Sequence, residues 1–288
     1  MFSCPMVSFV DNFFLTFILM NLNCLVNKVN FVFDLASSLR ISLFCLCETW
    51  LNSDISNAVV SLPGYNFFRN DSPSNMRIHG VGLYVRDNIK VGQSFCEHPN
   101  TVGVFLPDFG VTVLVVYRPP SYSLLDNLAL LTFLQTFCID RELILVGDFN
   151  LPNIDWSSEV PCTNSTPDGR FLDLFTSLGL IQWVKMPTFL RSNNILDLIF
   201  TTENDRISNL SLVDPFPGCD HFPIIFDYLF CSCTEGNNSD SSCNNNFNFF
   251  KGNYNSINLH LTNTDWDFKF SGLGIEEAYN CSICTYTS

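Results

Sequence analysis

Basic residues are scarce in this 288-residue chain. Lysine and arginine total 14 against 28 aspartates and glutamates, a formal net charge of −14. That balance excludes a broad basic surface gripping phosphate backbones. It is compatible with a cluster of metal-binding carboxylates, which is acidic by necessity because a hard divalent cation takes oxygen ligands and reverses the local field. Charged residues as a whole are few, at 15%. A membrane-spanning run is lacking too. Residues 2–20 are mostly apolar, but no Lys or Arg precedes Lys28 and Asp11-Asn12 interrupts the run. The uninterrupted stretch Phe13 to Met20 is short of the ~20 apolar residues that a bilayer needs, and no small-residue cleavage pattern follows it. A buried strand at Phe14–Asn21 is expected there in place of a signal or anchor, so no membrane partner is expected and the location is expected to be intracellular, nuclear or cytoplasmic. Zinc-knuckle spacing is also missing. The 13 cysteines are odd in number and scattered, Cys45-Leu-Cys47 and Cys231-Ser-Cys233 are spaced wrongly, and Cys281-Ser-Ile-Cys284 has no second half. Free, mostly buried thiols are the expectation.

What is present is a large apolar fraction, 47%, with 29 phenylalanines. This is enough for one large domain, or one domain and a tail. Short apolar runs read as strands at Phe14–Asn21, Ser42–Cys47, Val81–Val85, Thr112–Tyr117, Leu143–Asp148 and Leu196–Thr201. Several are apolar throughout, as in strands buried on both faces. Spacings of three and four mark helices over Val26–Leu39, Leu124–Phe137 and Gly169–Leu178. The alternation predicts a layered α/β or α+β domain over residues 14–229. From residue 230 to 288 the chain turns rich in Asn, Ser and Cys and reads as a linker and partly disordered tail.

Three of the predicted strands run into acidic or amide residues: Met20 into Asn21-Leu-Asn23, Cys47 into Glu48-Thr-Trp50, and Val146 into Gly147-Asp148-Phe-Asn150. The C-terminal ends of buried strands face the cleft where α/β proteins bind ligands. Asp148 and Asn150, two apart on an extended segment, project to one side and can touch one phosphate together. Gly218-Cys-Asp220-His221 adds a carboxylate and an imidazole after a glycine turn. Asp197 is a lone carboxylate inside an apolar strand. Buried, it needs a partner, and His221 is the candidate because a carboxylate fixes the ring tautomer. Phosphodiester hydrolysis needs these tools: a metal, a base for water, and donors for the phosphate oxygens.

The segments Glu48-Thr-Trp-Leu51, Val116-Tyr-Arg-Pro-Pro120, Gly147-Asp-Phe-Asn150, Leu196-Asp-Leu-Ile199 and Cys219-Asp-His221 resemble, in this order, the endonuclease/exonuclease/phosphatase superfamily. More narrowly they resemble the apurinic-type endonuclease domain of non-LTR retrotransposons. Val146 to Trp156 and Lys185-Met-Pro-Thr-Phe189 add to the likeness. The resemblance implies a deoxyribonuclease I-like, four-layer α/β sandwich of two packed mixed β-sheets flanked by helices. It implies that Glu48 holds Mg²⁺ or Mn²⁺, assisted by Asn21 or Asn23, with Asp220 completing the acidic cluster. Asp148 would activate or position water. Asn150 and Tyr117 would bind the scissile phosphate, and His221, oriented by Asp197, would bond a phosphate oxygen. The implied partner is DNA, with element RNA and reverse transcriptase in a full-length parent, and the implied product is a nick with a 3′ hydroxyl. Where a serine usually precedes the Asp-His pair, Cys219 stands here. An inactive retroelement remnant, or a phosphatase or lipid phosphodiesterase of the same fold, are the alternatives. His79, His98 and His260 match no motif and read as solvated or packing residues.

Overall fold

The computed structural model describes residues 13–71, 79–156, 160–161 and 167–230. In chain order the strands begin with β1 (Phe13–Asn21), β2 (Leu43–Cys47), β3 (Tyr65–Asn70), β4 (Val81–Arg86), β5 (Gln93–Phe95), β6 (Thr101–Leu106) and β7 (Val111–Tyr117). They continue with β8 (Leu143–Asp148), β9 (Ile154–Asp155), β10 (Val160–Pro161), β11 (Ile181–Gln182), β12 (Asp197–Thr201), β13 (Ile207–Leu212) and β14 (Ile224–Phe230). The helices are α1 (Val29–Ser38), α2 (Leu124–Cys138) and α3 (Pro167–Ser177). The tail expected from residue 230 lies, past Phe230, outside the described residues.

Two six-stranded sheets carry the fold, ordered β13-β14-β1-β2-β4-β3 and β11-β12-β8-β7-β6-β5. In the first, every neighbouring pair is antiparallel except the central β1/β2. In the second, the one parallel pair is again central, β7/β8. The two sheets therefore share one pattern of strand directions.

Period-2 alternation sorts the side chains into layers. Leu15, Phe17 and Leu19 of β1, Leu43 and Cys45 of β2, Val113 and Val115 of β7, and Ile144 and Val146 of β8 fill one core between the sheets. The intervening residues face outward. Ile18, Met20, Phe44 and Leu46 meet Val32 of α1, while Leu114, Val116, Leu143 and Leu145 meet Leu130 and Leu134 of α2 and Phe171 and Phe175 of α3. Helix, sheet, sheet and helices make the four layers that the resemblance implies. Strands covered on both faces read as unbroken apolar runs, which is why these were visible in the sequence.

Helix ends shift for local reasons. α1 starts three residues later than expected because Leu25–Lys28 closes a turn, Lys28 N donating to Leu25 O at 2.9 Å. α3 starts two residues earlier, with Pro167 at the first helical position, where a missing N–H costs nothing. Ser123 caps α2 in a reciprocal pair with Asp126.

Candidate active site

Strand parity gathers the polar residues at one edge of the gap between the sheets. Asn21 ends β1 on the inward face of Leu15, Phe17 and Leu19. Tyr117 and Asp148 end β7 and β8 on the faces of Val115 and Val146, and Asp197 begins the antiparallel β12 on the face of Ile199. Asp148 is in register with both Tyr117 and Asp197. Gly147 makes this possible. Its φ of +154° suits glycine, and a Cβ there would lie 1.8 Å from the Val116 carbonyl oxygen, so any side chain would push β8 off β7 just before Asp148.

The Asn21 amide ties the sheets together, donating to Glu48 Oε1 and to Asp148 Oδ2, each at 2.9 Å. Glu48 also accepts from Trp50 Nε1 at 3.3 Å. Burial, reinforced by the Glu48 and Asp148 carboxylates, raises the Tyr117 pKa and keeps its proton in place. Below Asp148, the Cys47 thiol accepts its backbone N–H at 3.4 Å and donates to Val116 O at 3.5 Å. Burial holds that thiol neutral.

Asp148 and Asp197 are closed off from solvent, at 0% and 1% exposure. His221 Nδ1 bonds Asp197 Oδ2 at 2.7 Å, the pairing expected from a lone carboxylate in an apolar strand, and Nε2 lies 3.9 Å from Asp148 Oδ2. Burial opposes a charged ring, but the Asp197 charge and hydrogen bond, with Asp148 and Glu48, outweigh it and lift the His221 pKa to about 9. These carboxylates therefore favour the charged ring in the absence of a cation. Burial and the neighbouring Asp197 push the Asp148 carboxyl well above the usual range, partly offset by His221. Ligand atoms of Asp148, Asp197 and His221 lie within 4.8 Å of one another, so the site is able to hold a divalent cation.

Asp148 and Asn150 meet differently from the expectation. The strand stops at Asp148, and Asn150 sits at φ +48° in a turn, its N–H donating to Asp148 Oδ1 at 3.2 Å. The turn, and not an extended segment, brings the Asn150 backbone N–H to the Asp148 carboxylate, while the Asn150 side chain donates to Arg118 O at 3.0 Å. Glu48 (φ +53°), Trp50 (+54°), Asn23 (+47°) and Cys24 (+87°) share this left-handed backbone. Such strain gathers where surrounding structure over-determines the chain. Here Thr49 N and Trp50 N donate to Gly80 O and His79 O, and Cys24 N donates to Glu48 O.

Asn23 joins this network only through its backbone, its N–H donating to Asn21 Oδ1 at 3.4 Å, and no bond links Asp220 to it among the described residues. Asn23 Nδ2 reaches Gly218 O at 3.5 Å, and Asp220 pairs with the exposed Arg191 at 2.7 Å. Both lie on the rim. The Cys219 thiol donates to Leu22 O at 3.3 Å, so it keeps a hydrogen bond where a serine hydroxyl is usual. Two residues, Thr188 and Phe189, escaped a sequence assignment. Thr188 Oγ1 accepts from Leu196 N and Asp197 N, both at 3.0 Å, and Phe189 packs on the His221 ring at 4.8 Å, so the Lys185–Phe189 segment braces the His–Asp pair. His79 is a packing residue, as expected, yet its ring stands edge-on to Tyr117 at 5.9 Å beside the site. No local pattern announces any of these contacts. His98 stacks on Phe133, and His260 lies outside the described residues.

Residues 111–225 match the family described as Endonuclease-reverse transcriptase. A search of curated proteins finds no match. Among solved structures, the chain is similar to an AP endonuclease from Archaeoglobus fulgidus (TM-score 0.60, 14% identity, covering 74% of this chain and 99% of that one). It is also similar to the 3′ phosphatase NExo from Neisseria bound to product DNA hairpin (TM-score 0.58, 17% identity, 74% and 99% covered). A third is the endonuclease domain of a telomere-specific non-LTR retrotransposon (TM-score 0.57, 17% identity, 75% and 98% covered). No helix among the described residues is long and apolar enough to cross a membrane.

Proposed function

We propose that this chain, which has the apurinic-endonuclease-like fold of the endonuclease/exonuclease/phosphatase superfamily, is a divalent-metal-dependent phosphodiester hydrolase that nicks DNA. The observation that carries the reading is the chain of contacts from Glu48 through Asn21 to Asp148, and on to the His221–Asp197 pair. A retrotransposon origin, with element RNA and reverse transcriptase as partners, is supported by the matched family and by the likeness to a retrotransposon endonuclease domain.

The donor set suits Mg²⁺ or Mn²⁺. Such ions take oxygen ligands, and Mg²⁺ keeps several waters while using one or two carboxylates. That favours the partly exposed Glu48, supported by Asn21 and with Asn23 and Asp220 on the rim, where Cys24 N donates to Glu48 O and the Cys219 thiol to Leu22 O, over the sealed Asp148 and Asp197. When bound, the ion would neutralise phosphate charge. The chain supplies the rest. Protonated His221 offers Nε2–H to a phosphate oxygen, with Asp197 holding the ring in place. Asp148, whose pKa burial and the neighbouring Asp197 raise, orients the attacking water and in its charged form accepts its proton. Asn150 and Tyr117, whose phenol burial keeps in the protonated form, donate to the oxygens on which charge develops. Water adds to phosphorus, the bond to O3′ breaks, and O3′ leaves with a proton as the 3′ hydroxyl.

Relaxation of supercoiled plasmid by the full chain tests this, run with Mg²⁺, with Mn²⁺ and with EDTA beside Glu48→Ala and His221→Ala. Relaxation that requires metal and is lost in both variants is expected. A folded protein that leaves plasmid intact, or one that instead cleaves only a phosphomonoester or a lipid phosphodiester, overturns the proposal.

A further inference from the structure

Arg118 is almost sealed from solvent, at 5% exposure, in the loop that follows β7. A guanidinium is buried at high cost unless its donors are matched, so its partners indicate its task. Nε donates to Asn127 Oδ1 at 2.7 Å, and Nη1 donates to Asn150 O at 2.8 Å and to Phe149 O at 3.3 Å. The guanidinium carbon stands 5.4 Å from the Phe171 ring centre. The backbone of the same residue completes the contact. Arg118 N donates to Asp148 O at 2.9 Å, and Arg118 O accepts from Asn150 Nδ2 at 3.0 Å. Asn127 is fixed in turn, donating to Tyr122 O and Ser123 O at the start of α2.

Asn150 is thus held at both ends, by its main-chain carbonyl and by its side-chain amide, in a left-handed backbone that asparagine accepts as a single residue. One amide N–H is committed to Arg118 O, and the other is left for a ligand. A lysine offers a single ammonium in place of the planar fork and is unable to match Asn127 and two successive carbonyls together.

We propose that Arg118 is the positioning residue for Asn150, fixing the turn that aims the Asn150 amide at the scissile phosphate. This rests on the hydrolytic reading above. The role lies in orientation, so its loss falls on kcat and disappears once the oriented group is gone.

The test is a double-mutant cycle on the full chain with Mg²⁺, measuring kcat and KM for plasmid nicking. It compares wild type, Arg118→Met, Arg118→Lys, Asn150→Ala and the Arg118→Met/Asn150→Ala pair, each shown to be folded by circular dichroism and melting. Arg118→Met lowers kcat by about 100-fold, the order expected for a displaced catalytic group, with KM little changed. Arg118→Lys recovers part of that loss. In the Asn150→Ala background, Arg118→Met costs less than about threefold more, the non-additivity of groups acting as one unit. Equal losses in both backgrounds, or a loss confined to KM, overturn the assignment. If Arg118→Met does not fold, Arg118→Lys and Asn127→Ala carry the same cycle. A folded wild type that fails to nick overturns the hydrolytic reading and this inference with it, whereas an active wild type with multiplicative losses overturns this inference alone.

Discussion

Asp148 and Asp220 are both aspartates that closely follow a positive-φ glycine, at Gly147 and Gly218, yet they are held in opposite ways. Asp148 is wholly buried, accepts from Asn21 and Asn150, and lies beside His221. Asp220 keeps 28% of its side chain exposed, and its partner Arg191 keeps 74%. Buried hydrogen-bonded groups are positioned in advance, at the cost of desolvation. An exposed ion pair contributes little and is free to exchange partners. The inner part of the site is therefore rigid before any ligand arrives, while the rim adjusts to whatever occupies it.

The contrast is broken or sharpened by substitution, and the inner residues give the largest effects. Asp148→Asn should lower the nicking rate by about 10³- to 10⁴-fold with DNA affinity nearly unchanged, and a loss under tenfold in a single-turnover assay would place the proton elsewhere. Asp197→Asn should cost about 100-fold in rate through a misoriented His221. It also has a signature in stability. The His221 pKa is raised from 6.5 to about 9 in the folded state, so its stabilisation is complete below pH 6.5 and is lost as pH rises through about 9. Melting of the two proteins in EDTA should therefore differ most near pH 6 and converge towards pH 10, and a gap that stays constant with pH would mean an uncharged pair. Glu48→Gln should raise the Mg²⁺ concentration for half-maximal nicking by roughly 10- to 100-fold, a metal titration being the check. At the rim, Arg191→Ala should change melting by less than about 1 kcal/mol, as exposed pairs do. A large effect there would mean that the rim is as fixed as the interior.

Much of this architecture is legible in the sequence because its inner strands are covered on both faces. β2, β7 and β8 are buried at every position, and an unbroken apolar run is a local signal. The strands of three residues or more that no local pattern announces, β3, β5, β6, β13 and β14, depend on distant neighbours. β13 alternates between intermediate and exposed positions at a sheet edge. β14 carries Asp227, which is tolerable in a strand only because Thr16 Oγ1 and Asn209 Nδ2 both donate to it at 2.7 Å. β6 is interrupted by Gly103, where a Cβ would meet the Val113 carbonyl at 2.8 Å, a contact made by the neighbouring strand. At the site, the residue types and the His221–Asp197 pairing follow from chemistry alone. The Asn150 turn, the bracing by Thr188 and the Arg118 grip do not, because each is a side chain answering a backbone group from another segment.

The pairing of β1 with β14 has a consequence for how the protein is made. Thr16 and Asp227 meet across 211 positions of sequence, so the strand that ends in Asn21 emerges early and waits for its neighbour. At typical elongation rates of ~5–20 residues per second, the wait is roughly 10–40 s. Throughout that interval one edge of an apolar strand lies open, a template for pairing with other nascent chains. Pairing over such a separation also slows the search itself once synthesis is over. A chain cut short before Ile224 would have every strand of its second sheet, while its first would lack β14 and leave β13 without a partner, with Glu48 and Asn21 on an unfinished wall. Yield of soluble protein should therefore depend more on finishing these last seven residues of β14 than on any equal length elsewhere.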